Sequence, residues 1–215
     1  MRRLATAGLF VLACVVVAAA AREFTLPRAA NAKTYPAHDD HPTERVTIAI
    51  DPYDSTQKSE IFRVKWREHG YLPVYLIVSN DGDQPLALPA MHIQWVTAKR
   101  SKLQPATEDD LARRLSRVKR RGDETPRMPL PLPKRGPDVG VPKDARQEID
   151  AARFSAAAVE PHTTRAGFLF FDIENIPDPL AGAHVYITGV RDGNGQELMF
   201  FDIPLDKYLA TAAVN

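Results

Sequence analysis

The chain has 215 residues, 44% of them apolar, enough for one substantial domain with additions but not for two large ones. Its formal net charge of +1 excludes a global field that would draw it to nucleic acid or to an anionic membrane. Its one cysteine, Cys14, cannot form an internal disulfide, and a chain that has lost its N-terminal segment has no thiol chemistry at all.

Arg2 and Arg3, the apolar run Leu4 to Val17 and the small residues Ala18 to Ala21 follow the order of a secretory signal peptide. Residues 1–21 are therefore expected to direct export to the periplasm or the extracellular space, with cleavage after Ala20 or Ala21. Two alternatives stay open. Leu4 to Ala21 is marginally long enough for an uncleaved membrane anchor. Val11-Leu12-Ala13-Cys14 also resembles a lipoprotein box in which Cys14 would be acylated. Residues 22–43 lack sustained periodicity and read as a flexible linker. Within them His38, Asp39, Asp40 and His41 offer two imidazoles and two carboxylates. A flexible segment would have to be ordered on binding and gives such ligands no supporting shell, so no metal site is assigned.

From residue 44 the apolar period is two. Glu44 to Ile50 places Val46, Ile48 and Ile50 on one side, and Asp51 to Ser55 reads as a turn. Ile61 to Trp66 alternates Phe62, Val64 and Trp66 with Arg63 and Lys65, the pattern of a half-buried strand. Tyr71 to Asn80 is apolar on both parities and ends at Asn80-Asp81-Gly82-Asp83, which predicts a buried central strand. Leu86 to Leu88 extends briefly, and Met91, Ile93 and Trp95 alternate once more.

At Thr107 the period changes. Thr107 and Asp110 make an acidic form of the capping box, and Leu111, Leu115 and Val118 recur at helical spacing, predicting an amphipathic helix from Thr107 to Arg121. Gly122 stops it. Six prolines between Pro126 and Pro142 exclude helix and interior strand, leaving extended, polyproline-like chain. Asp144 to Ala158 predicts a second, weaker helix. Strand periodicity resumes at Val159, and Gly167 to Ile173 (GFLFFDI) is a second strand apolar on both faces. Ala183 to Val190, the turn Arg191 to Gly195 and Glu197 to Leu205 predict a closing hairpin, followed by a short tail at 206–215.

Segments 44–97 and 159–205 together have the size of one immunoglobulin-like antiparallel β-sandwich. The expected fold is thus mainly β, a domain over 44–205 interrupted by a helical, proline-rich insertion at 98–158. Its two doubly apolar strands are expected in facing sheets. The stretches VYLIVSNDGDQPLAL, VEPHTTRAGFLFFDI and LAGAHVYITGVRDGNGQELMFFDIPL resemble the strand and turn cadence of exported bacterial immunoglobulin-like domains of unknown function. The resemblance covers roughly half the chain and implies a fold but no catalytic or binding residue.

No P-loop, GxGxxG, GxSxG, HExxH or CxxC motif is present. Asp81-Gly82-Asp83 and Asp192-Gly193-Asn194-Gly195 lack the ligand spacing of an EF-hand and are explained by tight turns. Asp172 and Asp202, in otherwise apolar strands, are the candidates for buried carboxylates, with a sheet-edge or outward-facing place as the commoner fate. Residues 99–146 carry 14 Lys/Arg against 7 Asp/Glu, a net +7, whereas residues 147–215 carry 4 against 10, a net −6. The predicted helix concentrates this charge in Arg113, Arg114, Arg117, Arg120 and Arg121, which suit an envelope protein or another acidic surface ligand. The alternative is a solvated helix face. Nucleic acid is not expected as a partner, and no cofactor is assigned. A non-enzymatic binding or structural module of the bacterial envelope is the leading expectation. An envelope hydrolase or metal-handling protein with a site in the loops at one end of the sandwich is the other.

Overall fold

In the computed structural model, which describes residues 24–122 and 143–212, antiparallel strands dominate. β1 (His38–His41), β2 (Val46–Pro52), β3 (Tyr71–Asn80) and β8 (Thr163–Asp172) form one antiparallel sheet in the order β1-β2-β3-β8. β5 (His92–Val96), β6 (Lys102–Leu103), β9 (His184–Thr188) and β10 (Phe201–Pro204) form a second in the order β10-β9-β5-β6. β4 (Leu86–Ala87) and β7 (Ala158–Val159) make a short pair beside them.

All ten residues of β3 are buried, and their two parities enter two different cores. Leu72, Val74, Leu76 and Val78 join Val46, Ile48, Ile50 and Phe171 against Ile93, Trp95, Val185, Ile187, Phe201 and Ile203 of the second sheet. The two sheets thus pack face to face. Tyr71, Tyr75 and Ile77 join Phe168 and Phe170 in a second core on the other side of the first sheet. That core is closed by Leu111 and Leu115 of α2 (Glu108–Gly122) and by Ala145, Ile149 and Ala152 of α3 (Lys143–Ala152), with Phe24, Phe62 and Trp66. The first sheet is therefore the middle layer of three.

This arrangement corrects the expectation that the two doubly apolar strands lie in facing sheets. β3 and β8 are neighbours in one sheet, paired from Tyr71↔Asp172 to Asn80↔Thr163. Each still has cover on both faces, because α2 and α3 supply the third layer. Gly167 lets a chain segment cross this sheet closely. A Cβ there would lie 2.5 Å from the Phe154 Cα, at the point where the Phe154 N–H donates to the Phe168 carbonyl.

Five further expectations are revised. The described part of the 22–43 segment is not a free linker: β1 pairs with β2, Ala32 and Ala37 are fully buried, and the Tyr75 hydroxyl donates to the Pro27 carbonyl at 2.6 Å. Ile61 to Trp66 is not a strand but a turn leading into a 3-10 helix at Trp66–His69. Phe62 and Trp66 do turn inward as their spacing suggests, yet the amides of Arg63 and Val64 go to a carboxylate instead of a neighbouring strand. The second helix ends at Ala152, and Arg153 and Phe154 leave it to bond along β8. The tail forms α4 (Asp206–Ala212), whose Tyr208 is buried against the first core. The predicted turn at Asp51 begins late, since Asp51 and Pro52 still belong to β2. α1 (Thr56–Ser59) follows, with Ser55 as its N-cap. Residues 1–21 and the proline-rich stretch up to Pro142 lie outside the described residues, so the signal segment and the extended chain are untouched by these findings.

Candidate functional site

α2 begins as its sequence dictates. The Asp110 carboxylate accepts from the Thr107 amide at 3.2 Å and from the Thr107 hydroxyl at 2.7 Å, and the Thr107 hydroxyl oxygen accepts from the Asp110 amide. Three acidic residues in the first turn suit the positive end of the helix. Leu111 and Leu115 then bury against the first sheet and fix which face meets solvent.

Of the five arginines proposed as a contact surface, the structure separates two. Arg113 points outward, its side chain 63% exposed and 3.9 Å from Asp110. Arg114 does not. Its side chain is only 20% exposed, bonded to Asp172 and, at 2.5 Å, to Glu174, with its guanidinium 5.1 Å from the centre of the Tyr71 ring. Arg114 clamps α2 to the end of β8 and is removed from the contact surface. The side chains of Arg117, Arg120 and Arg121, like that of Val118, lie outside the described residues. Asp172 is accordingly not deeply buried. It is the half-exposed partner of Arg114.

The other sequence features resolve into turn and seam chemistry. β1 splits His38-Asp39-Asp40-His41 between its two faces. Asp40 accepts from the Thr47 hydroxyl, and the Asp39 carboxylate accepts the Asp202 amide across to β10. His41 stacks on Phe201 at 3.9 Å, and Asp202 pairs with His184 at 3.0 Å. Among the described residues no group of three or more His, Cys, Asp or Glu has the arrangement to hold a metal ion, and no helix is long and apolar enough to cross a membrane. Asp192 accepts from the amides of Asn194 and Gln196, Asp81 takes Asn31 and Lys33, and Asp83 takes Arg45 and His162.

Two polar clusters escaped the sequence reading. Glu148, 2% exposed, accepts the Arg63 amide at 2.6 Å and the Trp66 indole N–H at 3.0 Å, and also takes the Val64 amide. Burial pushes its carboxyl above the ordinary range, and these three donors only partly offset that. The second cluster gathers Lys58, 2.5 Å from Asp51, around the Tyr208 hydroxyl, which lies 2.5 Å from Asp54 and 3.0 Å from the Pro52 carbonyl. It fastens α4 to the end of β2. Between α1 and the Trp66–His69 turn opens a cavity of about 560 Å3, lined among others by Asp54, Glu60, Arg67 and Glu68 together with Phe62 and Trp66. Two of its three carboxylates are engaged: Asp54 serves Tyr208, and Glu68 lies 3.4 Å from Lys65.

No protein-family model, curated protein or solved structure matches this chain.

Proposed function

We propose that this chain is an exported, non-enzymatic binding or structural module of the bacterial cell envelope, built on an immunoglobulin-like sandwich. The observation that carries the reading is the placement of the insertion. α2 and α3 lie along the first sheet, bury Leu111, Leu115 and Ile149 there, and hold Arg113 out to solvent. A hydrolase would instead need titratable groups free to act, whereas Glu148, Asp51, Asp54 and Asp172 are each engaged in joining one element to another. The immunoglobulin-like topology is supported by two four-stranded antiparallel sheets between which the chain passes three times, at β3 to β5, β6 to β8 and β8 to β9. The partner suited to an outward arginine on a basic helix is an envelope protein or another ligand with an acidic surface.

Two measurements test this reading. Exported material should begin at Ala21 or Arg22 by intact mass, and an acylated Cys14 at the N-terminus would make the chain a lipoprotein instead. Replacing Arg113, Arg117 and Arg121 together by glutamine should leave the melting temperature nearly unchanged if, like the outward Arg113, they serve binding and not folding. Capture of an envelope partner should weaken, more at low salt than at high salt. Arg114→Gln should behave in the opposite way, losing about 1–2 kcal/mol of stability with its two carboxylates and the Tyr71 ring. A triple variant that captures every partner as the parent does would reduce the helix to a solvated face.

A further inference from the structure

The cavity of about 560 Å3 between α1 and the Trp66–His69 turn joins an apolar lining of Phe62, Val64, Trp66 and Pro73 to charged walls. Both walls are braced by the polar clusters described above. On one side Glu148 holds the Arg63 and Val64 amides and the Trp66 indole. On the other, the Ser59 hydroxyl donates to the Tyr53 carbonyl at 3.1 Å, and the Lys58 ammonium ties α1 to Asp51 and, at 3.2 Å, to the Pro52 carbonyl. The Tyr53 amide in turn donates to the Pro73 carbonyl at 2.9 Å. The hollow is thus shaped before any ligand arrives. Most of its charges are already engaged: Asp54 with Tyr208, Lys65 with Glu68, and Arg63 with partners of its own. Glu60 and Arg67 are the exceptions. Both are exposed, and among the described residues neither side chain has an ion pair or a hydrogen bond. Glu60 belongs to the end of α1 and Arg67 to the 3-10 turn, so one wall carries an unused carboxylate and the other an unused guanidinium.

We propose that this cavity binds a short apolar peptide, two or three residues long, with both of its ends free. Three properties select that ligand. The first is charge. A free peptide carries one ammonium and one carboxylate, which Glu60 and Arg67 complement, the guanidinium gripping a carboxylate through two parallel N–H donors. A fatty acid or another anionic amphiphile would use Arg67 and leave Glu60 unanswered, and an apolar amine would do the reverse. The second is length. A free amino acid holds both charges on one Cα, whereas the two unused charges here come from facing elements. A hollow of this volume is about 8 Å across, and two or three extended residues span ~7–10 Å. The third is the lining. Phe62, Val64, Trp66 and Pro73 offer apolar surface to the peptide's side chains, and the Thr56 hydroxyl on the α1 side is placed to donate to a peptide carbonyl. The volume falls within the ~300–1,000 Å3 of small-ligand sites, and such a hollow is too confined for the ~800 Å2 that each partner buries in a stable protein interface. None of the lining residues belongs to α2, so the site is independent of the acidic partner proposed for that helix.

The test titrates the mature chain with trileucine, N-acetyl-trileucine, trileucine amide and free leucine, followed by calorimetry and by amide resonances. Trileucine is expected to bind with a dissociation constant below ~1 mM and to shift amides between residues 54 and 68. Blocking either end should weaken binding to the parent by about fivefold or more. Glu60→Gln should bind trileucine and its N-acetyl form equally, and Arg67→Gln should bind trileucine and its amide equally, because each variant lacks the group that reads that end. Both substitutions are at exposed positions, so the melting temperature should hold. Arg113→Gln should change none of these affinities. No saturable binding of trileucine up to ~10 mM would overturn the proposal. So would a Glu60→Gln variant that still distinguishes the acetylated from the free peptide as the parent does, or free leucine binding as tightly as trileucine.

Discussion

Phe170→Ala is expected to destabilise the protein by about 3–5 kcal/mol, and Leu76→Ala by about 2–5 kcal/mol. The two residues sit on opposite faces of the middle sheet, so together they test both cores. Phe170, 1% exposed, packs with its ring centre 4.6 Å from Trp66 and 6.3 Å from Phe62. Leu76 is fully buried between the sheets, opposite Ile50 on one side and Gly167 on the other. Truncation removes buried methylenes and leaves a cavity that a three-layer packing cannot collapse to fill. Urea unfolding measures the cost as a shifted midpoint at constant slope. A loss below about 0.5 kcal/mol at Phe170 would mean that α2 and α3 do not cover that face.

The second large effect belongs to Glu148. Glu148→Ala leaves the amides of Arg63 and Val64 and the Trp66 indole N–H without their acceptor, and is expected to cost about 3 kcal/mol or more. Glu148→Gln keeps one acceptor oxygen but turns an NH2 toward other donors, so its cost should be intermediate, about 1–3 kcal/mol. The pair also separates by pH. The folded-state carboxyl titrates above its ordinary value of 4.5 because of burial. Protonation is therefore favoured in the folded state, and stability is lost as pH rises through the range above 4.5. The glutamine variant has no such proton to lose. The stability difference between parent and Glu148→Gln should shrink as pH rises from about 4.5, and a difference that grows would contradict the dominance of burial.

Much of the fold was legible because it is written locally. The two-sided apolar run of β3, that of β8 and the Thr107–Asp110 box each declare themselves within a dozen residues. Which sheet each strand joins is a long-range matter. The need of both strands for cover on both faces is met equally by facing sheets or by one sheet in the middle of three layers. Residues 61–66 show the same limit, since alternation reports which side chains turn inward and not where the amides go. The misread charges had a signal of their own. Arg114 falls between Leu111 and Leu115 at i+3, on the docking face of its helix, and Glu148 falls among Ala145, Ile149 and Ala152 on the apolar face of α3. A charge set inside an apolar stripe marks a buried pairing, not a free surface. Nothing in His38 to His41 revealed that β2 would capture them as an edge strand, because their partners lie on other strands.

Native-state hydrogen exchange on the full mature chain tests most directly whether the insertion is a layer of the fold that presents a surface. Amides of α3 and of the Leu111–Leu115 turn of α2 are expected to open with free energies near those of β3 and β8, because they share one core. Fast exchange throughout α2 and α3 beside slow exchange in β3 and β8 would contradict this expectation, and would leave the arginine face without a rigid platform.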